Sequence, residues 1–251
     1  MSILLATSRF VLMALVVSVH FLVWGLGLPF VAFSPRGWSR WRSTILRRIS
    51  GTLLTIMGAC IESRGAPPEP PFVLVANHLS YVDILILASR LNTVFVSKHE
   101  VAGWPVIGIL CRWMGTVFIQ RENRRDIARV LEEMHRHLET GAGIVFFPEG
   151  TSTNGSELLQ FRPSLLEIAV RLGQPVSYAS LAYSTFDRDR PAADWVCWWG
   201  DRPFVGHFVG LLRLRGFRAE LTFGPEPLQQ PDRKSLAVEL HKAVASQLSL
   251  A

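Results

Sequence analysis

Short apolar runs alternate with helical patterns through most of the chain, and this alternation constrains the fold more than any other feature. The runs that predict buried strands are 72–76, 94–97, 116–120, 143–147 and 176–182, with a half-exposed strand at 217–223. Between them, apolar residues recur at helical spacing in 127–138 and 165–172, and an amphipathic helix closes the chain at 236–248. Strands and helices that alternate pack as layers, so the sequence predicts an α/β fold.

A nearly uninterrupted apolar segment runs from Phe10 to Phe33. A segment of this length can cross the hydrocarbon core of a bilayer. One arginine, Arg9, precedes it, and several follow it closely: Arg36, Arg40, Arg42, Arg47 and Arg48. Such flanking cations stay on the cytoplasmic side, which favours a membrane anchor over a cleaved signal peptide or a buried core helix. Gly25, Gly27 and Pro29 can bend the segment, so spanning the membrane and inserting as one arm of a hairpin are both open.

The segment after the anchor reads as a helix on the membrane surface. Trp38 and Trp41 lie among the arginines, as interfacial anchors do, and an apolar helical face continues at Ile45, Leu46, Ile49, Leu53, Leu54 and Met57. The proline-rich stretch 66–71 predicts a stiff linker. The sequence therefore predicts a membrane anchor with an interfacial helix at 1–65 and a catalytic domain at 66–251.

The composition also indicates a membrane-associated protein. Hydrophobic residues make up 49% of the chain and charged residues only 18%, which is unusual for a freely soluble protein. The net charge of +6 suits an anionic partner. Because the arginines cluster beside the anchor, that partner is predicted to be a bilayer surface and not a nucleic acid. Cys60, Cys111 and Cys197 are widely spaced, which fits a reducing compartment and offers no zinc-site pattern.

A histidine and an aspartate five residues apart follow the first predicted strand. On one helix His78 and Asp83 would point about 140° apart, so they can meet only if His78 lies in the loop and Asp83 in the first turn of the next helix. Ser80 is then the natural N-cap. In this arrangement Asp83 fixes the tautomer of His78 and stabilises the imidazolium that forms when the ring accepts a proton from an alcohol. The alternative is a capping box, in which Asp83 satisfies only backbone N–H groups.

Polar clusters follow three of the predicted strands. The cluster 77–83 follows the first, Arg121 follows the third, and 148–152 follows the fourth. Ligands of open α/β sheets bind where strands end, so the clusters predict one pocket that holds a base, a cation and a carboxylate. Lys98, after the second strand, is a further candidate cation, although exposed lysines are common.

These clusters, in this order, resemble the three sequence blocks of the glycerolipid acyltransferase family. The block Asn-His plus four residues to Asp matches Asn77, His78 and Asp83, and the block Gly-x-x-Phe-Ile-x-Arg matches residues 115–121. The block Phe-Pro-Glu-Gly-Thr matches 147–151. A fourth block with two prolines matches only at Pro175, because Tyr178 stands where the second proline is usual.

The resemblance implies a mixed central sheet flanked by helices, an N-terminal membrane platform, and acyl transfer from acyl-CoA or acyl-carrier protein to a lysophospholipid hydroxyl. His78 and Asp83 would be the catalytic pair. The substrate-binding residues would be Asn77, Lys98, Arg121, Glu149, Gly150 and Thr151. The thioester is a cosubstrate, and no cofactor or metal ion is expected.

Lysophosphatidic acid is the expected acceptor, and the enzyme is expected on the cytoplasmic face of a bacterial inner membrane. The alternatives are another lyso-lipid acceptor, such as lyso-ornithine lipid, and a lipid-binding protein without turnover.

Overall fold

The computed structural model describes residues 3–31, 33–120 and 124–248, with the side chains of 124 and 125 left aside. Within those ranges the helices are α1 (Ile3–Val31), α2 (Pro35–Met57), α3 (Val82–Arg90), α4 (Ile107–Trp113), α5 (Arg124–Glu139), α6 (Glu167–Leu172), α7 (Ala192–Trp195), α8 (Phe204–Leu212) and α9 (Arg233–Gln247). The strands are β1 (Ala59–Arg64), β2 (Val73–Ala76), β3 (Thr93–Lys98), β4 (Val117–Ile119), β5 (Gly143–Phe146), β6 (Val176–Thr185) and β7 (Phe217–Phe223).

In the described part of the chain the strands form one seven-stranded sheet in the order β1-β7-β6-β2-β5-β3-β4. The strands β6, β2, β5, β3 and β4 run parallel to one another. β7 is antiparallel to β6, and β1 is parallel to β7, so the sheet is mixed as predicted. The parallel arrangement brings the carboxyl ends of β2, β3, β4 and β5 to one edge of the sheet, where ligands of such sheets bind.

Each face of the sheet is buried under helices, because side chains along a strand point alternately to opposite faces. Leu74 and Ala76 pack on the face covered by α1, α2, α3 and α8. Val73 and Val75 pack on the opposite face, under α5, α6 and α9. β2 is therefore buried on both sides, which explains its uninterrupted apolar sequence.

α1 and α2 form a hairpin that lies against the sheet domain. α1 is long and apolar enough to cross a membrane, and only 6% of its most apolar window is buried. Gly27 lets the two helices approach closely, because a Cβ atom there would collide with the indole of Trp41. At the other end of α1, the guanidinium of Arg9 donates hydrogen bonds to the carbonyls of Leu212 and Leu214, at 3.1 and 2.7 Å. Both ends of α1 are thus attached to the rest of the protein, as in the hairpin alternative.

Three parts of the fold are absent from the sequence-based prediction. β1 extends the sheet at its edge, where it pairs with β7 from Ala59↔Phe217 to Arg64↔Thr222. As a partly exposed edge strand of sequence ACIESR, it lacks the apolar run that marks the central strands. The second part is α4, which lies between β3 and β4. The third part is the segment between β6 and β7, which contains α7 and the strongly apolar α8.

Candidate active site

The loop after β2 carries the histidine and the aspartate that the sequence singles out. The Nδ1 atom of His78 lies 2.7 Å from Oδ2 of Asp83, as predicted from their spacing. The Asp83 side chain is fully buried, while that of His78 is 22% exposed. Because a carboxylate only accepts hydrogen bonds, Nδ1 carries the proton and Nε2 presents its lone pair. The imidazole is therefore oriented with its basic nitrogen available to a substrate.

Asp83 accepts further hydrogen bonds that hold it in place. Its Oδ2 atom accepts from the backbone N–H groups of Leu79 and Ser80, at 2.7 and 2.9 Å. Its Oδ1 atom accepts from the hydroxyl of Tyr183, at 2.5 Å. One carboxylate thus satisfies two backbone N–H groups and also orients the histidine, so Asp83 is more than a capping residue.

The predicted capping role of Ser80 is wrong. α3 begins at Val82, and the residue before it, Tyr81, has helical dihedral angles and makes no side-chain cap. The Ser80 hydroxyl is buried without a hydrogen-bond partner. The reason is that Asp83 reaches back to the Ser80 N–H, so the carboxylate and not the hydroxyl satisfies the free donors at the helix start.

Tyr183 is a site residue that the sequence analysis missed. It lies on β6, and burial raises its pKa well above the ordinary value, with the neighbouring Asp83 carboxylate adding to the effect. Tyr183 therefore stays protonated and donates to Asp83. No local pattern could reveal this contact, because one hundred residues separate the partners and only the pairing of β6 beside β2 joins them.

Glu149 binds the backbone of His78, and the preceding residue Asn77 binds the backbone of Leu181 on β6. Glu149 is 2% exposed; its Oε1 accepts from the His78 N–H at 2.6 Å and its Oε2 from the Leu159 N–H at 2.9 Å. Burial raises the pKa of Glu149 to about 7. Asn77, also 2% exposed, accepts from the Leu181 N–H and donates to its carbonyl, at 2.7 and 2.9 Å. Both polar side chains are thus occupied by backbone groups, and their predicted contact with substrate stays a prediction.

Of the remaining predicted site residues, Gly150, Thr151 and Lys98 lie at the same edge of the sheet. Gly150 has a φ of +83° and follows Phe147, whose ring stacks on the imidazole of His78 with centroids 4.1 Å apart. Thr151 is exposed next to it. Lys98 ends β3 in register with Ile119 of β4 and is exposed. Arg121 lies outside the described residues, so its role in substrate binding stays a prediction.

A cluster of aromatic residues flanks the loop after β2, which carries His78. Tyr81 contacts the rings of Phe204, His207 and Phe208 on α8, and its hydroxyl lies 3.0 Å from Nδ1 of His207. The Trp198 N–H donates to the carbonyl of Leu79 at 2.8 Å, beside the His78–Asp83 pair. The segment between β6 and β7 therefore packs against the loop that carries His78.

The geometry defines the class of chemistry. A solvent-reachable imidazole that is backed by a buried carboxylate is the arrangement of a general base. Among the residues that the structure describes, no group of three or more His, Cys, Asp or Glu side chains could hold a metal ion. The fold and site thus define an α/β protein equipped to activate a hydroxyl group.

Comparison with known proteins identifies the family. The Acyltransferase family profile matches residues 60–181. The lyso-ornithine lipid O-acyltransferase of Rhodobacter capsulatus is 36% identical over 219 residues, which are 82% of this chain and 76% of that protein. The 1-acyl-sn-glycerol-3-phosphate acyltransferase of Neisseria gonorrhoeae is 38% identical over 121 residues, 48% of each chain. The chain therefore belongs to the acyltransferase family of lipid metabolism.

A solved structure shows the same fold. The crystal structure of the 1-acyl-sn-glycerophosphate (LPA) acyltransferase from Thermotoga maritima matches with a TM-score of 0.57 at 20% sequence identity. The match covers 96% of this chain and 98% of that one. It therefore includes the helical hairpin together with the mixed sheet.

Proposed function

We propose that the protein transfers a fatty acyl group from acyl-CoA or acyl-carrier protein to the free hydroxyl of a lyso-lipid. The observation that carries this proposal is the 2.7 Å contact between Nδ1 of His78 and the buried Asp83, which leaves Nε2 as the basic nitrogen. In the proposed reaction, Nε2 removes the hydroxyl proton while the acceptor oxygen attacks the thioester carbonyl. The tetrahedral intermediate then expels the thiolate, which takes the proton from the imidazolium.

This mechanism requires no nucleophile from the protein. The new ester bond forms between the acceptor oxygen and the acyl carbon, and the carbon–sulfur bond of the donor breaks. Asp83 stays ionised throughout and stabilises the transient imidazolium, supported by Tyr183 and two backbone N–H groups. The His78–Asp83 pair is therefore sufficient for the acid–base steps.

Lyso-ornithine lipid is the acceptor that the comparisons favour. Relatives of that name match between 73% and 86% of this chain, at 32–36% identity. The relatives named 1-acyl-sn-glycerol-3-phosphate acyltransferase from Neisseria match 48% of it. Lysophosphatidic acid is the second candidate, favoured by Arg121 in the block Gly-x-x-Phe-Ile-x-Arg, because a guanidinium can hold a phosphate through two parallel hydrogen bonds.

We place the reaction at the cytoplasmic face of a bacterial inner membrane. The hairpin presents exposed apolar side chains along α1 and at its tip, where Phe30 is 87% and Phe33 95% exposed. Exposed cations such as Arg36 and Arg40 follow directly. An apolar tip beside cations suits insertion into one leaflet with anionic headgroups around it.

The experiment supplies purified protein with lyso-ornithine lipid or lysophosphatidic acid, each with acyl-CoA and with acyl-carrier protein, and detects products by mass spectrometry. We expect acylated ornithine lipid as the main product. The variant Arg121→Ala should leave that reaction intact and reduce any reaction with lysophosphatidic acid, while Arg171→Ala on α6 is the matched control. Phosphatidic acid as the sole product would overturn the choice of acceptor. Binding of both lyso-lipids without consumption of either thioester would overturn the enzymatic proposal.

A further inference from the structure

A cavity lies at the edge of the sheet opposite to the one that carries His78. It has a volume of about 600 Å³ and is lined by residues of α1, α2, the end of α4, β4 and the end of α5. Gly115 and Thr116 in its wall precede β4, and Thr140 precedes β5. His78, Lys98 and Glu149 lie instead at the carboxyl ends of strands. The cavity is therefore separate from the edge of the sheet that carries His78.

Arg42 on α2 gives this cavity its main chemical character. Its residue surface is only 7% exposed, and its Nε and Nη2 atoms are buried without any hydrogen-bond partner. These two nitrogens form one side of the guanidinium fork, which matches a pair of oxygens on a phosphate or carboxylate. Burial lowers the pKa of Arg42 to about 10, so the side chain is charged at neutral pH. A buried charge without a partner is costly, which indicates that an anion completes the site.

The surroundings of Arg42 reinforce the positive charge. Arg112 and Arg136 line the same cavity, and no residue that the structure describes forms a salt bridge with any of the three arginines. Among the described residues of the lining, the one acidic side chain is that of Glu133, whose charge is already paired with Arg129 at 2.8 Å. The Ser39 hydroxyl, buried and without a partner, is one turn away from Arg42 and adds a hydrogen-bond donor.

A narrow apolar groove of about 60 Å³ adjoins the charged cavity. Trp24, Arg42 and Trp113 line both spaces, and the groove continues between α1, α2 and α4 along Phe21, Ile45, Leu46, Ile49 and Leu110. Trp38, which also lines the cavity, packs against Trp24 with ring centroids 5.3 Å apart. Tryptophan is enriched at membrane interfaces. The groove therefore leads from the charged cavity along the membrane-facing hairpin.

We propose that this cavity binds an anionic membrane phospholipid, with the phosphate on Arg42 and the first few carbons of one acyl chain in the adjoining groove. The charge complementarity selects the headgroup, and the apolar groove selects a lipid over a free anion. The ligand would join the hairpin to the sheet domain, because α1, α2, α4 and α5 all contribute to its walls. This site does not depend on which acceptor is acylated.

The test measures binding to the purified full-length protein in neutral detergent. The probes are dioctanoyl phosphatidylglycerol, dioctanoyl phosphatidylcholine and inorganic phosphate, followed by native mass spectrometry and by the shift in the thermal unfolding midpoint. We expect phosphatidylglycerol to bind and to raise the midpoint, and the other two probes to bind at least about tenfold more weakly. Inorganic phosphate lacks the acyl chain, and phosphatidylcholine carries a choline cation that cancels the charge of its phosphate and is repelled by the arginines of the cavity.

Two variants and one matched control sharpen the test. Arg42→Met should weaken phosphatidylglycerol binding at least about tenfold, yet raise the unfolding midpoint without lipid, because it removes an unpaired buried charge. Arg136→Gln, at an exposed position, should weaken binding without affecting folding. Arg40→Gln removes one positive charge outside the cavity. It should change neither the affinity for phosphatidylglycerol nor the unfolding midpoint.

Three outcomes would overturn the proposal. The first is wild-type affinity for phosphatidylglycerol in both cavity variants. The second is equal affinity for inorganic phosphate, which would indicate a site for a free anion. The third is equal affinity for phosphatidylcholine, which would show that the charge is not recognised.

Discussion

Replacing Glu149 by glutamine should remove a pH dependence of stability that this buried carboxyl creates. The pKa of Glu149 is raised from its ordinary value of 4.5 to about 7, chiefly by burial. The folded protein therefore holds this proton more tightly than the unfolded chain does. As a result, the free energy of unfolding falls as the pH rises from about 4.5 through about 7.

The size of this stability change follows from the difference between the two pKa values of Glu149. A difference of about 2.5 pKa units corresponds to about 3 kcal/mol once the carboxyl is fully ionised in both states. Between pH 5.5 and pH 8.5 the wild-type protein should lose about 2 kcal/mol through this group. The variant Glu149→Gln loses one acceptor for the N–H groups of His78 and Leu159, at a cost that does not change with pH.

The assay is urea unfolding in detergent micelles, followed by tryptophan fluorescence, for wild type and Glu149→Gln at both pH values. Other titrating groups cancel in the difference between the two proteins. We expect the stability advantage of the wild type to shrink by about 2 kcal/mol at the higher pH. Glu157→Gln, an exposed carboxylate of the same loop, is the control and should show no such change. A difference that stays constant from pH 5.5 to pH 8.5 would refute the reasoning.

Three further substitutions test the packing around both sites. Tyr183→Phe removes one donor to Asp83 and should lower kcat about tenfold without unfolding the protein, measured by steady-state kinetics; an unchanged kcat would contradict its positioning role. Asn77→Ala breaks both hydrogen bonds to Leu181 and should lower the free energy of unfolding in urea by about 2 kcal/mol. An unchanged free energy of unfolding would contradict the stabilising role of these two hydrogen bonds. Gly115→Ala should lower the thermal unfolding midpoint more than Gly141→Ala does, and equal shifts would contradict this expectation. Both glycines have a positive φ, but only a Cβ atom at position 115 would collide with the guanidinium of Arg42.

The sequence predicts the central strands well because their signal is local. The apolar runs at 143–147 and 217–223 correspond to β5 and β7 within one residue. Burial on both faces requires such runs, so the pattern is visible without the structure. The edge strand β1 escapes prediction because its exposed positions carry polar residues.

The contact between His78 and Asp83 is predictable for a similar reason, whereas the residues that support it are not. His78 and Asp83 are separated by one loop, so their spacing fixes the geometry that allows contact. Tyr183, Leu159 and Arg42 reach their places only through tertiary packing between distant segments. Spacing along the sequence predicts contacts within one loop, but it does not predict contacts between distant segments.

The central claim is that His78 is the base that activates the acceptor hydroxyl. The most direct measurement is the single-turnover rate of acyl transfer by purified His78→Ala, compared with His135→Ala on the partly exposed face of α5. We expect the first variant to remain folded and to lose at least about a hundredfold in rate, as general bases typically contribute, while the second matches the wild type. A folded His78→Ala protein that transfers the acyl group at the wild-type rate would contradict the claim.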